Sequence, residues 1–123
     1  MGEIRLEESG LERLSDYLKR TWAEIDLDAL AHNVREIRAR LRQGCRLMGV
    51  VKADAYGHGS KRCAWKLADC GVDWFGVSNL EEALLLRRWG LEQPVLNFGT
   101  LPTERAGELA EYRITQMCIR DRS

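Results

Sequence analysis

Between Gly44 and Gln116, short apolar runs alternate with longer segments in which apolar residues recur every three or four positions. The apolar runs predict four strands, over residues 47–51, 74–77, 95–98 and 113–116. The amphipathic segments between them predict helices over residues 60–70, 80–89 and 103–111. Strands and helices that alternate at this spacing form βαβ units, so the pattern predicts an α/β fold with a parallel sheet.

The chain before this repeat has a different pattern. The segment "TWAEIDL" (residues 21–27) alternates apolar and polar side chains, which predicts a half-buried strand. A helix is predicted over residues 27–41, with Asp26 or Asp28 as its N-cap. Residues 1–20 contain leucines scattered among charges, and we assign them to a leader that is either helical or disordered.

The composition argues against nucleic acid, membranes and metal ions as binding partners. The 123 residues include 19 Lys and Arg against 19 Asp and Glu, so no net charge attracts nucleic acid. No apolar run reaches the roughly 18 residues of a membrane span, and the acidic N-terminus is unlike a signal peptide; these features predict a cytoplasmic protein without a membrane partner. Four cysteines without a C-x-x-C pair and only two histidines predict no metal site.

The number of strands leaves two architectures open. Four βα units are half of a (β/α)8 barrel or most of a small doubly wound sheet. Both architectures place their ligands outside the carboxyl ends of the parallel strands. The residues that directly follow each predicted strand are therefore the candidates for a functional site.

Lys52 stands directly after the apolar run "LMGVV". An amine surrounded by apolar strand ends loses hydration and becomes available as a nucleophile toward aldehydes or as a base. Taken alone, the position also suits a lysine whose stem covers apolar surface while its ammonium reaches water. Tyr56, Gly57 and Gly59 favour the chemical interpretation, because a phenol and two flexible glycines can approach an anion or a cofactor. These residues predict a lysine-centred site for a carbonyl compound or an aldehyde cofactor.

The sequence resembles the alanine racemases over about residues 21–115. The segment "VVKADAYGHG" resembles their pyridoxal-phosphate lysine motif, and "TWAEIDLDALAHNV" resembles their N-terminal signature. The similarity continues through "GVDWFGVSNLEEALLLRRWG", "PVLNFG" and "AEYRIT". The resemblance implies the first four βα units of a (β/α)8 TIM-type barrel, whose N-terminal strand joins a C-terminal β-domain in the full protein.

The resemblance also implies roles for individual residues. Lys52 would bind pyridoxal phosphate covalently and act as the base on one face of the substrate Cα, and Tyr56 would help to hold the phosphate side of the cofactor. Phe98 would lie against the cofactor at a position that is usually aliphatic, and His58 would be structural. The implied reaction interconverts L-alanine and D-alanine and supplies D-alanine for peptidoglycan. The second base would be a tyrosine of the C-terminal β-domain, contributed by the partner subunit of a homodimer with shared active sites.

The sequence also departs from the family pattern. We assign residues 21–116 to the N-terminal part of the cofactor-binding barrel and residues 117–123, "MCIRDRS", to a non-family tail. Because the second base falls outside the chain, the 123 residues alone are expected to be inactive. Three alternatives stay open: a racemase of serine or another amino acid, a non-catalytic barrel in which Lys52 only carries pyridoxal phosphate, and a structural remnant without a ligand.

Overall fold

A computed structural model describes residues 22–118. Helix α1 (Leu27–Arg40) precedes strand β1 (Met48–Val50), and a short helical turn (Lys52–Tyr56) follows that strand. The remaining elements are α2 (Ser60–Asp69), β2 (Trp74–Val77), α3 (Leu80–Arg88), β3 (Val95–Asn97), a 3-10 turn (Thr103–Arg105), α4 (Ala106–Tyr112) and β4 (Ile114–Gln116). The four predicted strands and the three helices between them are confirmed, the last helix beginning with the 3-10 turn.

The strands form one parallel sheet in the order β1-β2-β3-β4. Because βαβ crossovers are right-handed almost without exception, this order places the helices between the strands on one face of the sheet, which is the arrangement of a (β/α)8 barrel. A doubly wound sheet instead reverses its strand order and carries helices on both faces. The strand order therefore favours four consecutive units of a barrel over the doubly wound alternative.

The core lies between the sheet and the helices. The strand residues Phe75, Val77 and Val95 are completely buried in it, together with Leu80 and Leu86 of α3. Helices α1, α2 and α3 each bury part of their apolar stripe, as the sequence pattern predicts. Burial of this apolar surface is the main contribution to the stability of the fold.

The opposite face of the sheet points toward the barrel interior. A Cβ atom placed on Gly76 would lie 2.6 Å from Phe98 Cε2 and 3.0 Å from Met48 Sδ, so these three residues share the face. Met48 and Phe98 are half-buried. Val50 joins them by the alternation of side chains along a strand and is 36% exposed. The inner face is therefore apolar over β1 and β2 and at Phe98, whereas β4 contributes Thr115, the register partner of Leu96.

The strand predicted over residues 21–27 is wrong for the part of it that the structure describes. Residues 22–26 form neither strand nor helix, and Leu27 already belongs to α1. A strand is stabilised by the ladder it forms with a neighbour, and none of the four strands pairs with this segment. The resemblance assigns its pairing to a β-domain outside the described residues.

Helix α1 begins at one of its two predicted caps. Asp26 Oδ1 accepts hydrogen bonds from the amides of Asp28 and Ala29, at 2.9 and 3.1 Å. This bonding satisfies two of the amides that the first turn of a helix leaves without partners. The helix ends at Arg40, because Leu41 is already extended.

The described residues include only a small part of the two ends of the chain. The leader assigned to residues 1–20 lies outside the described residues. Of the tail, Met117 and Cys118 are described and lie outside the helices and strands. None of the described helices combines the length and the apolar character that crossing a membrane requires.

Asp73 joins three segments at the N-terminal end of the sheet. Its Oδ2 accepts from the Leu47 amide at 2.7 Å and from both terminal nitrogens of Arg38 at 3.1 Å. The Leu47 amide, followed by the Arg38 guanidinium, holds the pKa of Asp73 below its ordinary value, although partial burial raises it. Helix α1 is thereby attached to the beginning of β1 and to the beginning of β2.

We expect Asp73→Asn to lower the free energy of unfolding at neutral pH and to weaken its pH dependence. A carboxylate with a depressed folded pKa stabilises the fold above its unfolded pKa of about 3.9, and this contribution is lost as the pH falls through the folded pKa. Urea unfolding at about pH 7, 5 and 3 measures the effect, with Asp69→Asn at the end of α2 as control. Equal pH dependence in the wild type and Asp73→Asn would contradict the assignment.

Candidate functional site

Lys52 lies at the carboxyl end of β1. The ladder to β2 extends through Val51, whose amide donates to the Gly76 carbonyl oxygen at 2.9 Å, and Lys52 is the next residue. Its side chain is half-buried, and Nζ lies 5.9 Å from the centroid of the Tyr56 ring. Within the described part of the chain, the Lys52 amine takes part in no ion pair. The amine is thus at the edge where parallel barrels bind their ligands.

The segment after Lys52 has an unusual backbone. Residues 53–56 all have positive φ, of 52°, 54°, 53° and 57°, so they form a left-handed turn. None of the four is glycine, and an L-residue in this conformation costs roughly 1–2 kcal/mol. The sequence did not predict this left-handed turn, because Ala, Asp and Tyr carry no signal for it. Such strain persists only where surrounding contacts fix the conformation, and it concentrates at functional sites.

The left-handed turn has several hydrogen bonds of its own. The Gly57 and Gly59 amides donate to the Asp54 carbonyl oxygen at 3.1 and 3.0 Å, and both glycines have positive φ. The Asp54 carboxylate accepts from the Ser60 amide at 2.7 Å, at the beginning of α2. His58 Nδ1 lies 3.0 Å from the Ala55 carbonyl oxygen, which agrees with the structural role implied for His58.

Tyr56 ends the left-handed turn, and its side chain is 61% exposed. The turn places its ring beside the Lys52 amine, so the structure brings these two predicted site residues together. Tyr56 and His58 also line a groove of about 410 Å³ beside β1, with residues of α1 and α2. Lys52 is not among the residues that line this groove.

Cys63 lies under the left-handed turn in α2. Its thiol is buried, and Sγ donates to the His58 carbonyl oxygen at 3.6 Å. Burial, with a smaller contribution from the charge of Asp54, raises the pKa of this thiol. A buried thiol with a raised pKa is a packing residue rather than a nucleophile.

Phe98, the third predicted site residue, directly follows β3, two strands away from Lys52. Its ring lies across Gly76 of β2 on the inner face, close enough that a side chain at Gly76 would overlap it. The Phe98 amide donates to the Val77 carbonyl oxygen at 2.8 Å, which fixes the strand end. Phe98 therefore forms part of the apolar floor of the barrel interior.

We expect Gly76→Ala to destabilise the fold by about 1–3 kcal/mol, because its methyl group overpacks the site occupied by the Phe98 ring. Phe98→Leu removes the ring, so Gly76→Ala should cost much less in that background. Urea unfolding of the wild type, both single variants and the double variant measures the coupling, expected at about 1 kcal/mol or more. Additive effects would contradict the contact.

The loops after β2 and β3 approach each other very closely. A Cβ atom on Gly99 would lie 1.9 Å from the Ser78 carbonyl oxygen. The fully buried Asn97 supports this loop: its Oδ1 accepts from the Gly99 amide at 3.0 Å, and its Nδ2 donates to Gln116 Oε1 at 2.9 Å. The contact holds two neighbouring strand ends in a fixed relation at the site edge.

Glu82 connects the left-handed turn to the end of β2. Its Oε2 accepts from the Ala53 amide at 2.7 Å, and its Oε1 accepts from the amide and hydroxyl of Ser78 at 2.7 and 2.6 Å. Burial raises the pKa of Glu82, but the hydrogen bonds from Ser78 and then from Ala53 outweigh it, so the pKa lies below its ordinary value. Asn79 is the N-cap of α3, since its Oδ1 accepts from the Glu82 amide at 2.8 Å.

Comparison with known proteins identifies relatives of this arrangement. The model of the family described as "Alanine racemase, N-terminal domain" matches residues 25–121. The alanine racemase of Desulfosudis oleivorans is 46% identical over 95 residues, which are 77% of this chain and 24% of that protein. The chain thus spans about a quarter of the length of this curated relative.

Solved structures agree with the sequence comparison. The alanine racemase of Clostridium difficile 630 superposes with a TM-score of 0.75 at 38% identity, over 80% of this chain and 26% of that chain. The alanine racemase of Bartonella henselae with covalently bound pyridoxal phosphate superposes with a TM-score of 0.69 at 29% identity, over 75% of this chain and 27% of that one. The family model, the sequence identity and the shared parallel sheet agree, and the chain belongs to the alanine racemase family, whose N-terminal domain it matches.

Proposed function

We propose that this chain provides the cofactor-binding lysine of a pyridoxal-phosphate-dependent alanine racemase, and that Lys52 is this lysine. The whole protein would interconvert L-alanine and D-alanine. It would act in the cytoplasm as a homodimer in which each subunit contributes to the active site of the other.

The observation that carries the proposal is the position of the Lys52 amine. It follows the edge strand of the described sheet at the carboxyl end, is half-buried, and has a phenol ring 5.9 Å away. Catalytic groups of (β/α)8 barrels come from this edge. The left-handed turn gives further support, since its strained backbone places Tyr56 next to the amine.

The side chains at this edge fit pyridoxal phosphate. A primary amine can condense with an aldehyde, and the Tyr56 phenol can donate a hydrogen bond to an anionic group. Phe98 adds an apolar surface on the inner face. When bound, pyridoxal phosphate supplies an electron sink for the negative charge left by loss of the Cα proton.

Each residue then has a distinct task. Lys52 would hold the cofactor and, after the amino acid has replaced it, would take or return the Cα proton on one face of the substrate. Tyr56 would orient the cofactor through its phosphate side. Phe98 would border the pocket and limit its depth. Inversion needs a second base on the opposite face, which the resemblance assigns to the C-terminal domain.

A chimeric enzyme tests the function. Residues 25–115 of this chain replace the matching segment in the alanine racemase of Desulfosudis oleivorans, which is 46% identical. The chimera is expected to convert L-alanine into D-alanine and the reverse, measured by chiral chromatography. If the chimera folds and binds pyridoxal phosphate but turns over serine in preference to alanine, the proposal that alanine is the substrate is wrong. One that binds the cofactor and racemises neither amino acid would favour a non-catalytic carrier.

A further inference from the structure

Glu82 is the one acidic residue of the described chain that accepts hydrogen bonds from both the left-handed turn and the end of β2. It stands in the first turn of α3, and its two carboxylate oxygens have different partners. In a capping box the carboxylate returns to the amide of the cap residue itself. Here Oε1 instead reaches Ser78, one residue earlier, which leaves Oε2 directed at the Ala53 amide.

The Ala53 amide is the first donor after Lys52. It opens the four residues with positive φ, so its bond fixes the backbone where the strained conformation begins. The other hydrogen bonds of the left-handed turn are made to Val51 or to residues within and directly after the turn. Glu82 therefore provides the hydrogen bond that joins the turn to a different βα unit.

Side-chain packing is incomplete between the left-handed turn and α3. A groove of about 140 Å³ lies there, and its lining includes Asp54 of the turn, Ser60 of α2 and Glu82 of α3. Side chains that line this opening have fewer packing partners than those of the closed core. A hydrogen bond to an ionised acceptor is about twice as strong as a neutral one, so the carboxylate carries much of the attachment at this place.

We propose that Glu82 is a positioning residue for Lys52: by binding the Ala53 amide and Ser78 together, its carboxylate fixes the left-handed turn and thereby the orientation of the Lys52 amine and the Tyr56 ring. The partners of the Glu82 carboxylate among the described residues are Ala53 and Ser78, so it acts on Lys52 through the backbone. The inference rests on the proposed function of Lys52 as the cofactor lysine.

Three variants isolate the carboxylate. Glu82→Gln keeps the size but presents an amide nitrogen to donors, and Glu82→Ala removes both oxygens. Ser78→Ala removes one donor and keeps the bond to Ala53. Glu81→Gln is the matched control, because Glu81 precedes Glu82 on the same helix and pairs with Arg105 at the surface instead. Far-ultraviolet circular dichroism verifies that each variant retains its helices.

Two measurements on the 123-residue chain decide the proposal. Amide hydrogen exchange of residues 53–59 measures how well the backbone of the turn is protected, and it needs no cofactor. Reductive trapping of pyridoxal phosphate on Lys52 measures how readily the amine reacts. In Glu82→Gln and Glu82→Ala, the exchange rate of these amides should rise about tenfold, and trapping on Lys52 at limiting cofactor should fall about tenfold. A change of this size is expected when a charge-assisted hydrogen bond is removed. Glu81→Gln and Ser78→Ala should change each by less than about threefold.

The outcomes separate this inference from the proposed function. Unchanged exchange in Glu82→Gln overturns the positioning role, and so does raised exchange with undiminished trapping. A wild-type chain that is never trapped on Lys52 overturns the proposed function. In that case the exchange result alone still supports or overturns the role of Glu82 in holding the segment.

Discussion

The Lys52→Ala variant of the chimeric enzyme is expected to racemise alanine at least about 10³-fold more slowly than the chimera itself, because it removes both the attachment of the cofactor and a base. Lys52→Arg should lose as much activity. Arginine keeps the positive charge and a long stem, but its guanidinium remains protonated and can act neither as a base nor as an amine nucleophile. Initial rates in both directions measure the loss.

A second lysine provides the control for this prediction. Lys61 stands on the exposed side of α2, with Nζ 6.0 Å from the centroid of the Trp65 ring, so it has a similar cation–aromatic geometry away from the strand ends. Lys61→Ala is expected to retain activity within about twofold, as surface substitutions usually do. Retention of more than a tenth of the rate in Lys52→Arg would show that another residue performs the chemistry.

Gly99→Ala is expected to be the most damaging substitution of a glycine at the site edge. The new Cβ would lie 1.9 Å from the Ser78 carbonyl oxygen, which is a backbone atom that no change of rotamer can move away. Overpacking of this kind costs about 1–3 kcal/mol or more, so the free energy of unfolding should fall by at least that amount. Urea unfolding of the variant and the wild type measures the difference.

Gly107→Ala is the matched control for Gly99→Ala. Gly107 lies in α4, and a Cβ atom there would meet no atom within 4 Å. Alanine in a helix is favoured over glycine by about 0.5–1 kcal/mol, so this variant should be more stable than the wild type. If Gly99→Ala were as stable as the wild type, the close approach of the two loops would be incorrect.

The repeat of strands and helices could be predicted because each signal is local. Apolar runs gave the four strands, and Gly71 and Gly90 ended two helices in the left-handed conformation that a helix exit favours. The strand predicted over residues 21–27 failed for the opposite reason. Its residues do alternate between apolar and polar, but a strand forms only beside a neighbouring strand to which it can hydrogen-bond. Whether such a neighbour is present depends on the tertiary fold and not on the local sequence.

The site was predictable in its residue types and not in its geometry. Lys52 could be singled out from its place after an apolar run, and Tyr56 from its spacing. The left-handed turn that joins them could not, because local propensity opposes positive φ for Ala and Tyr, and only tertiary contacts hold four consecutive residues there. The packing of the Phe98 ring directly over Gly76 could not be predicted either, since close approaches across a sheet leave no periodic pattern in the sequence.

The central claim is that Lys52 is the lysine that binds pyridoxal phosphate. Incubation of the 123-residue chain with pyridoxal phosphate, reduction with borohydride and peptide mapping by mass spectrometry tests it directly. The chain has three other lysines, Lys19, Lys61 and Lys66, as internal controls. We expect the reduced label on Lys52 at limiting cofactor, and we expect it to be lost in Lys52→Arg. Equal labelling of all four lysines, or a label on another lysine with Lys52 unmodified, would contradict it.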